Sequence, residues 1–202
     1  LQHETLRTVE LTSKYDDRAA QLPGNHIIEV DTHGKWMLIH LSTDEAIACH
    51  ALMYGSWQFG EPGMELEKEE SQVRVRLVTD SQEAVFYNGP IVELITEQEL
   101  TEHPKISKLG PDIMKDDFDR DEVWRRLQQY PDRSIADAIL DQNIIAGIGN
   151  IYKSEGLFLA EIDPRRPVSD VSRDEVEQLW DILIPLMWKG VDDGGRVNTL
   201  PE

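Results

Sequence analysis

Cysteine is almost absent. Cys49 stands alone among 202 residues, which excludes an internal disulfide and any zinc site built from several cysteines. A lone thiol of this kind reads as buried and reduced, in a cytoplasmic protein. Long apolar runs are missing too: 40% of the residues are hydrophobic, enough for a core, but no stretch is long enough to span a bilayer. The opening residues Leu1-Gln2-His3-Glu4 lack the basic-then-apolar order of a signal peptide. They also lack an initiator Met, so the chain is expected to be an internal piece of a longer one. There is no internal repeat and no low-complexity tract.

Positive charge is the other scarcity. Lys and Arg number 20 against 39 Asp and Glu, for a net charge of −19. Taken globally, this argues against nucleic acid, because affinity for a polyanion rests on cations that neutralise phosphates. Binding, however, depends on the local patch, while global charge sets solubility and long-range steering. Acid is concentrated in residues 61–70 and 116–122, and diluted further on by Lys153, Arg165, Arg166 and Arg173.

What is present falls into two halves. In the first, residues 26–30, 36–41 and 46–50 are short apolar runs divided by polar turns such as Thr32-His33-Gly34-Lys35. Residues 73–78 alternate strictly, the pattern of a half-buried antiparallel strand, and residues 84–87 follow after a polar turn. Residues 60–71 are acidic and aperiodic, and are expected to form a mobile hairpin loop. In the second half, residues 121–129 carry Val123, Trp124 and Leu127 on one helical face until Pro131 stops them. Ser134 is placed to cap a helix through Leu140. Another helix is expected from about 151 to 160, and the capping box Ser172-Arg173-Asp174-Glu175 opens a fourth towards Trp188. Residues 109–118 read as the linker. The expectation is an α+β, two-domain fold: an N-terminal antiparallel β-sandwich over residues 1–112, and an all-helical domain over 113–202.

The most informative string is Leu140-Asp141-Gln142-Asn143-Ile144-Ile145-Ala146-Gly147-Ile148-Gly149-Asn150-Ile151-Tyr152-Lys153-Ser154-Glu155-Gly156-Leu157-Phe158. A helix ends, two glycines permit a tight turn, and a new helix starts near Asn150. A helix N-terminus with free N–H groups attracts anions. Asn150 is therefore either the helix cap or a phosphate ligand, and physics alone favours the cap. The string resembles the helix–two-turns–helix motif of the formamidopyrimidine-DNA glycosylase and endonuclease VIII family. That resemblance assigns Asn150 to a phosphate flanking the lesion. It makes Glu155 the helix acid that orients the turn or the damaged base, against the alternative of a solvated carboxylate.

Further matches lie in the first half. Thr32-His33-Gly34-Lys35-Trp36-Met37-Leu38 resembles the family's basic turn ahead of an apolar strand. Its lysine, here Lys35, contacts phosphate beside the abasic site and assists elimination; the plain alternative is an exposed turn lysine. His50-Ala51-Leu52-Met53-Tyr54-Gly55-Ser56-Trp57 resembles the segment whose side chains fill the stack vacated by a flipped base. Leu52, Met53 and Tyr54 take that role, with strand core as the alternative and a hairpin tip as the expected setting. This form is nearer the endonuclease VIII branch, as is Tyr87-Asn88-Gly89-Pro90, which stands where the other branch reads Asp-Pro-Arg-Arg-Phe-Gly. Lys108, in His103-Pro104-Lys105-Ile106-Ser107-Lys108, matches a basic phosphate contact in the segment joining the family's two domains.

The resemblance implies a bifunctional base-excision-repair glycosylase and abasic-site lyase, acting through a Schiff base on oxidised bases in damaged double-stranded DNA. It further implies a monomer in the prokaryotic cytoplasm. The family begins Pro-Glu and carries a four-cysteine zinc finger. Neither is in this sequence, so no metal ligand or cofactor is expected within it, one structural zinc is expected in a full-length protein, and the chain as given is expected to be inactive. A non-catalytic module that senses damaged or abasic DNA is the main alternative, and an unrelated acidic interaction domain the third.

Overall fold

A computed structural model describes residues 1–194. It divides into two compact units, residues 1–107 and 108–202, a boundary slightly ahead of the expected 112/113. Residues 109–118 are not a free linker. The Gly110 N–H donates to the Gln142 carbonyl at 2.8 Å, the Ala146 N–H to Pro111 at 2.9 Å, and the Ile113 N–H to Ala146 at 3.2 Å. Ile113 is buried in the helical core. The segment shows no periodicity because its hydrogen bonds go to a distant stretch of chain.

The first unit holds two antiparallel four-stranded sheets. One has the order β1 (Thr8–Leu11), β6 (Val73–Val78), β7 (Glu83–Tyr87), β5 (Ser56–Gly60). The other has β2 (Ile27–His33), β3 (Trp36–Leu41), β4 (Glu45–His50) and β8 (Ile91–Thr96) in sequence order. Short helices α1 (Asp16–Ala19) and α2 (Glu97–Thr101) flank them. Alternate residues of both sheets enter one core: Val9, Leu11, Ile39, Leu41, Ile47, Val75, Leu77, Phe86 and Leu94. Cys49 lies in that core, and burial pushes its thiol up to about 12, so it stays protonated and inert.

Residues 60–71 do not form a hairpin loop. β5 and β6 both pair with β7, so the segment must cross over that strand. It is pinned on the way. The Gly63 N–H donates to the buried Glu83 carboxylate at 2.6 Å, and the Gln58 amide both accepts from the Glu67 N–H at 3.0 Å and donates to the Glu65 carbonyl at 2.8 Å.

The described part of the second unit is helical: α3 (Arg120–Leu127), α4 (Ile135–Leu140), α5 (Asn150–Leu159) and α6 (Arg173–Asp192). Asp119, Ser134 and Ser172 cap α3, α4 and α6 by accepting N–H groups of the first turn. Gly156 lets α5 approach α6: a Cβ there would sit 2.5 Å from Leu183 Cδ2. Trp180, Leu183, Leu179 and Ile148 are wholly buried between the elements. No helix among the described residues is long and apolar enough to cross a membrane.

Two outcomes follow from this packing. Trp180→Ala should lower unfolding free energy by about 3–5 kcal/mol, read by denaturant titration. Trp180→Phe should lose much less, because it keeps most of the ring and removes an indole N–H that has no hydrogen-bond partner among the described residues. The second outcome concerns acid. Arg166, then the Ser172 N–H and hydroxyl, hold the Glu175 carboxyl down to about 2. A depressed folded-state pKa contributes stability above the ordinary glutamate range that is lost as pH falls towards the folded value. Glu175→Gln should flatten that part of the acid limb in thermal melts taken across it.

Candidate nucleic-acid interface

Besides its backbone bonds to residues 110–113, the two-turn segment between α4 and α5 is held by the Gln142 side chain. The Gln142 amide donates to the Leu140 carbonyl at 3.0 Å and the Ile148 carbonyl at 2.9 Å, and accepts from the Gly147 N–H at 3.1 Å. Gly147 has φ 102°, and a Cβ there would press on Ile113 Cγ2 at 3.2 Å and Asp112 Oδ1 at 3.3 Å. Asp141 fixes the approach to the turn, accepting the Asn143 N–H at 3.0 Å and the Arg133 guanidinium at 2.7 Å. Burial pushes the Asp141 carboxyl up, but Arg133 and the Asn143 N–H more than offset it, so its pKa lies below the ordinary aspartate value.

This geometry removes the cap reading of Asn150. Gly149 occupies the N-cap position, no side chain caps α5, and Asn150 is the first helical residue. Its side chain is exposed, and its Oδ1 accepts from Lys153 Nζ at 3.1 Å. The amide N–H₂ of Asn150 has no hydrogen-bond partner among the described residues. The α5 N-terminus thus presents uncapped N–H groups, an outward amide and an ammonium one turn along, the donor set an anion requires. Lys153 was not singled out in the sequence; its spacing of three from Asn150 on a helix is the signal that would have found it. Glu155 is half-buried further along α5 and makes no ion pair among the described residues.

The first unit brings together a second set. β2 and β3 pair His33 with Trp36 across a two-residue turn, Gly34-Lys35, in which Gly34 has φ 59°. Lys35 is exposed as a residue, yet burial of its ammonium holds its pKa below the usual lysine value. Trp36 lies opposite His50 in the sheet and meets its ring edge-on at 5.1 Å; on another side it meets His103 at 5.3 Å. His103 Nδ1 accepts the Ile106 N–H at 3.1 Å and Nε2 faces Glu93 at 3.1 Å. His103 thereby fixes the segment that carries Lys105. Burial first, then the charges of Lys35 and Lys105, hold the His50 pKa below the ordinary histidine value. His50 and Lys105 lie in strings that the sequence marks, but it gives neither a role, because β4 and the 103–106 turn are brought together only by the fold.

Leu52, Met53 and Tyr54 follow β4, and the core reading of them fails: they are 58%, 86% and 74% exposed. They do not sit at a hairpin tip, because β4 belongs to one sheet and β5 to the other. The turn joins the sheets and projects all three side chains into solvent. Lys108 is also exposed, at the end of a 3-10 turn over Ile106–Lys108, and makes no ion pair among the described residues. No three His, Cys, Asp or Glu side chains converge on a metal position among the described residues.

Comparison with known proteins agrees with the resemblance. Residues 1–90 match the family model described as the formamidopyrimidine-DNA glycosylase N-terminal domain, and residues 109–200 match its H2TH domain. Endonuclease 8 of Pectobacterium carotovorum is 28% identical over 181 residues, 89% of this chain and 68% of that protein. Endonuclease 8 of Escherichia coli O157:H7 is 30% identical over 83% of this chain and 64% of its own length. The probable endonuclease 8 2 of Streptomyces coelicolor is 33% identical over 78% of this chain and 57% of its own length. The chain thus spans between 57% and 68% of the length of these relatives. The crystal structure of Lactococcus lactis formamidopyrimidine-DNA glycosylase bound non-covalently to DNA containing an abasic site superposes with a TM-score of 0.78 at 21% identity, covering 97% of this chain and 76% of that one.

Gln142 offers the direct check on the turn. Gln142→Ala leaves the Gly147 N–H and the Ile148 carbonyl without their partner. It should cost about 1–3 kcal/mol in denaturant unfolding. A cost near zero would mean that the glycines alone set the turn.

Proposed function

The chain belongs to the formamidopyrimidine-DNA glycosylase family, with endonuclease 8 proteins among its relatives, and on that premise we propose that it is the DNA-binding body of a base-excision-repair glycosylase and abasic-site lyase. The substrate is double-stranded DNA carrying an oxidised base. The two sheets act as the family's β-sandwich, and the protein works as a monomer in a prokaryotic cytoplasm. The carrying observation is the turn at Leu52, Met53 and Tyr54: three large apolar side chains held in solvent on a strand end beside Trp36 and a desolvated lysine. Exposing apolar surface in this way is unfavourable unless a partner covers it, and the hole left by a flipped base is such a partner.

Each residue then has a task. Leu52, Met53 and Tyr54 fill the vacated stack. Asn150, the α5 N–H groups and Lys153 hold a phosphate. Lys35 pairs with a phosphate beside the sugar and stabilises the charge that develops on it during elimination, and Lys108 adds a phosphate contact. Glu155 orients the turn. The family chemistry needs an amine that attacks sugar C1′, expels the base and forms a Schiff base. The resemblance assigns that amine to the proline of the family's Pro-Glu start, and residues 1–202 supply the DNA-binding part of the work. The family's structural zinc belongs to a full-length protein, and no step here runs through it.

Replacing Met53 and Tyr54 with alanine should weaken binding to abasic duplex more than to intact duplex, with the melting temperature unchanged; equal losses on both would count against the wedge. Asn150→Asp places an acid at a helix N-terminus, where it is favourable, so stability should hold or rise. The new negative charge should cost about 1–3 kcal/mol of DNA affinity, lesion or not. Unchanged affinity at fixed low salt would remove Asn150 from the interface.

A further inference from the structure

His50 holds the apolar turn by a hydrogen bond to its ring. The Leu52 N–H donates to His50 Nδ1 at 3.0 Å. Two further features close the same turn: the Gly55 N–H donates to the Ala51 carbonyl at 2.8 Å, and a Cβ on Gly55 would stand 2.6 Å from Ala51 Cα. Within it Leu52 has φ 48°, the left-handed region that a side chain such as leucine seldom adopts. Strained backbone persists only where neighbouring contacts over-determine it, and it concentrates at functional clamps.

We infer that His50 is a positioning residue: its neutral ring, held edge-on against Trp36, fixes Leu52 in the left-handed conformation and so aims Leu52, Met53 and Tyr54 as one pre-formed wedge. The inference rests on the reading of that turn as a wedge and adds what sets its shape. An Nδ1 that accepts places the proton of the neutral ring on Nε2. The charged groups that face the ring are Lys35 on the β2–β3 turn and Lys105 on the segment after α2, with no acid in that set. In the sheet His50 is flanked by two uncharged residues, Trp36 of β3 and Ile91 of β8; behind Trp36 lies His103, which faces Glu93. Two ammonium groups and partial burial oppose protonation, so the ring stays an acceptor below the pH at which a free histidine would charge.

The arrangement predicts a division between variants that a general packing role would not give. Asparagine at position 50 keeps an acceptor at the δ position and reaches the N–H two residues on, as in an Asx-turn. Glutamine carries its acceptor one bond further out, and alanine has none. Nitrogen NMR of the histidine rings, on the 202-residue chain without DNA, comes first. It should find the His50 proton on Nε2 and a Leu52 amide resonance that moves with the His50 titration; the other tautomer, or an indifferent Leu52 amide, overturns the inference. The ratio of affinities for abasic over intact duplex, at fixed salt, comes second. His50→Asn should keep the wild-type ratio, whereas His50→Ala and His50→Gln should lower it roughly fivefold, the worth of one net hydrogen bond. The wild-type ratio should fall on acidification through the depressed His50 pKa, and that of His50→Asn should not. Equal losses in all three variants overturn the positioning role. A wild-type ratio of one beside the expected tautomer would instead sink the wedge reading itself, leaving the hydrogen bond as a fact about the turn.

Discussion

The interface in the second unit depends on the Gln142 amide. A chain that turns twice between helices leaves backbone groups that neither helix can satisfy, and buried unpaired groups are costly. Gln142 answers three of them with one side chain. Because the turn is satisfied by Gln142 together with residues 110–113, nothing needs to reach over and cap α5. Gly149, which has no side chain to offer, takes the N-cap, and the first N–H groups of α5 remain available beside Asn150 and Lys153. The same economy holds in the first unit, where His50 holds the turn after β4 and leaves three apolar side chains outward.

The net charge of −19 and a polyanionic ligand are reconciled by how the cations are spent. Every described arginine except Arg74 is ion-paired with a carboxylate: Arg7 with Asp80, Arg76 with Glu83, Arg126 with Glu122, Arg133 with Asp141, Arg166 with Glu175, and so on through the chain. Arginine's planar fork suits such bidentate work. Lys105, Lys108 and Lys153 make no ion pair among the described residues. The described arginines are thereby taken up in holding the fold, and Lys105, Lys108 and Lys153 are cations available to face phosphate. Total charge says little about binding when one class of cation is already used within the protein.

Much of this was legible in the sequence. The strict alternation of residues 73–78 and the apolar run of 36–41 coincide with β6 and β3. Ser134 and Ser172 cap the helices they were expected to cap. Strands β1, β5 and β8 were not read. Sheet partners distant in sequence, rather than local pattern, make them strands. The same cause hid the crossover at 60–71 and the docking of 109–118. In the candidate site, Lys35, Asn150 and the Leu52 turn carried a motif and were singled out by it. His50, Lys105 and Lys153 were not, because their value comes from neighbours supplied by the fold. On physics alone Asn150 reads first as a cap, since asparagine is a favoured cap residue; that the preceding glycine takes the position depends on the path of the turn.

The central claim is that two separate features, the open N-terminus of α5 and the apolar turn after β4, are the parts that meet DNA, the first through phosphate and the second through the vacated stack. Its most direct test is an NMR titration of the labelled chain with intact and with abasic duplex. The account predicts that the amides of Asn150 to Lys153 shift with either duplex, because phosphates are common to both, and that the Met53 methyl and Tyr54 ring shift only with the abasic one. Shifts confined to other surfaces, or a Met53 response identical for both duplexes, would contradict it.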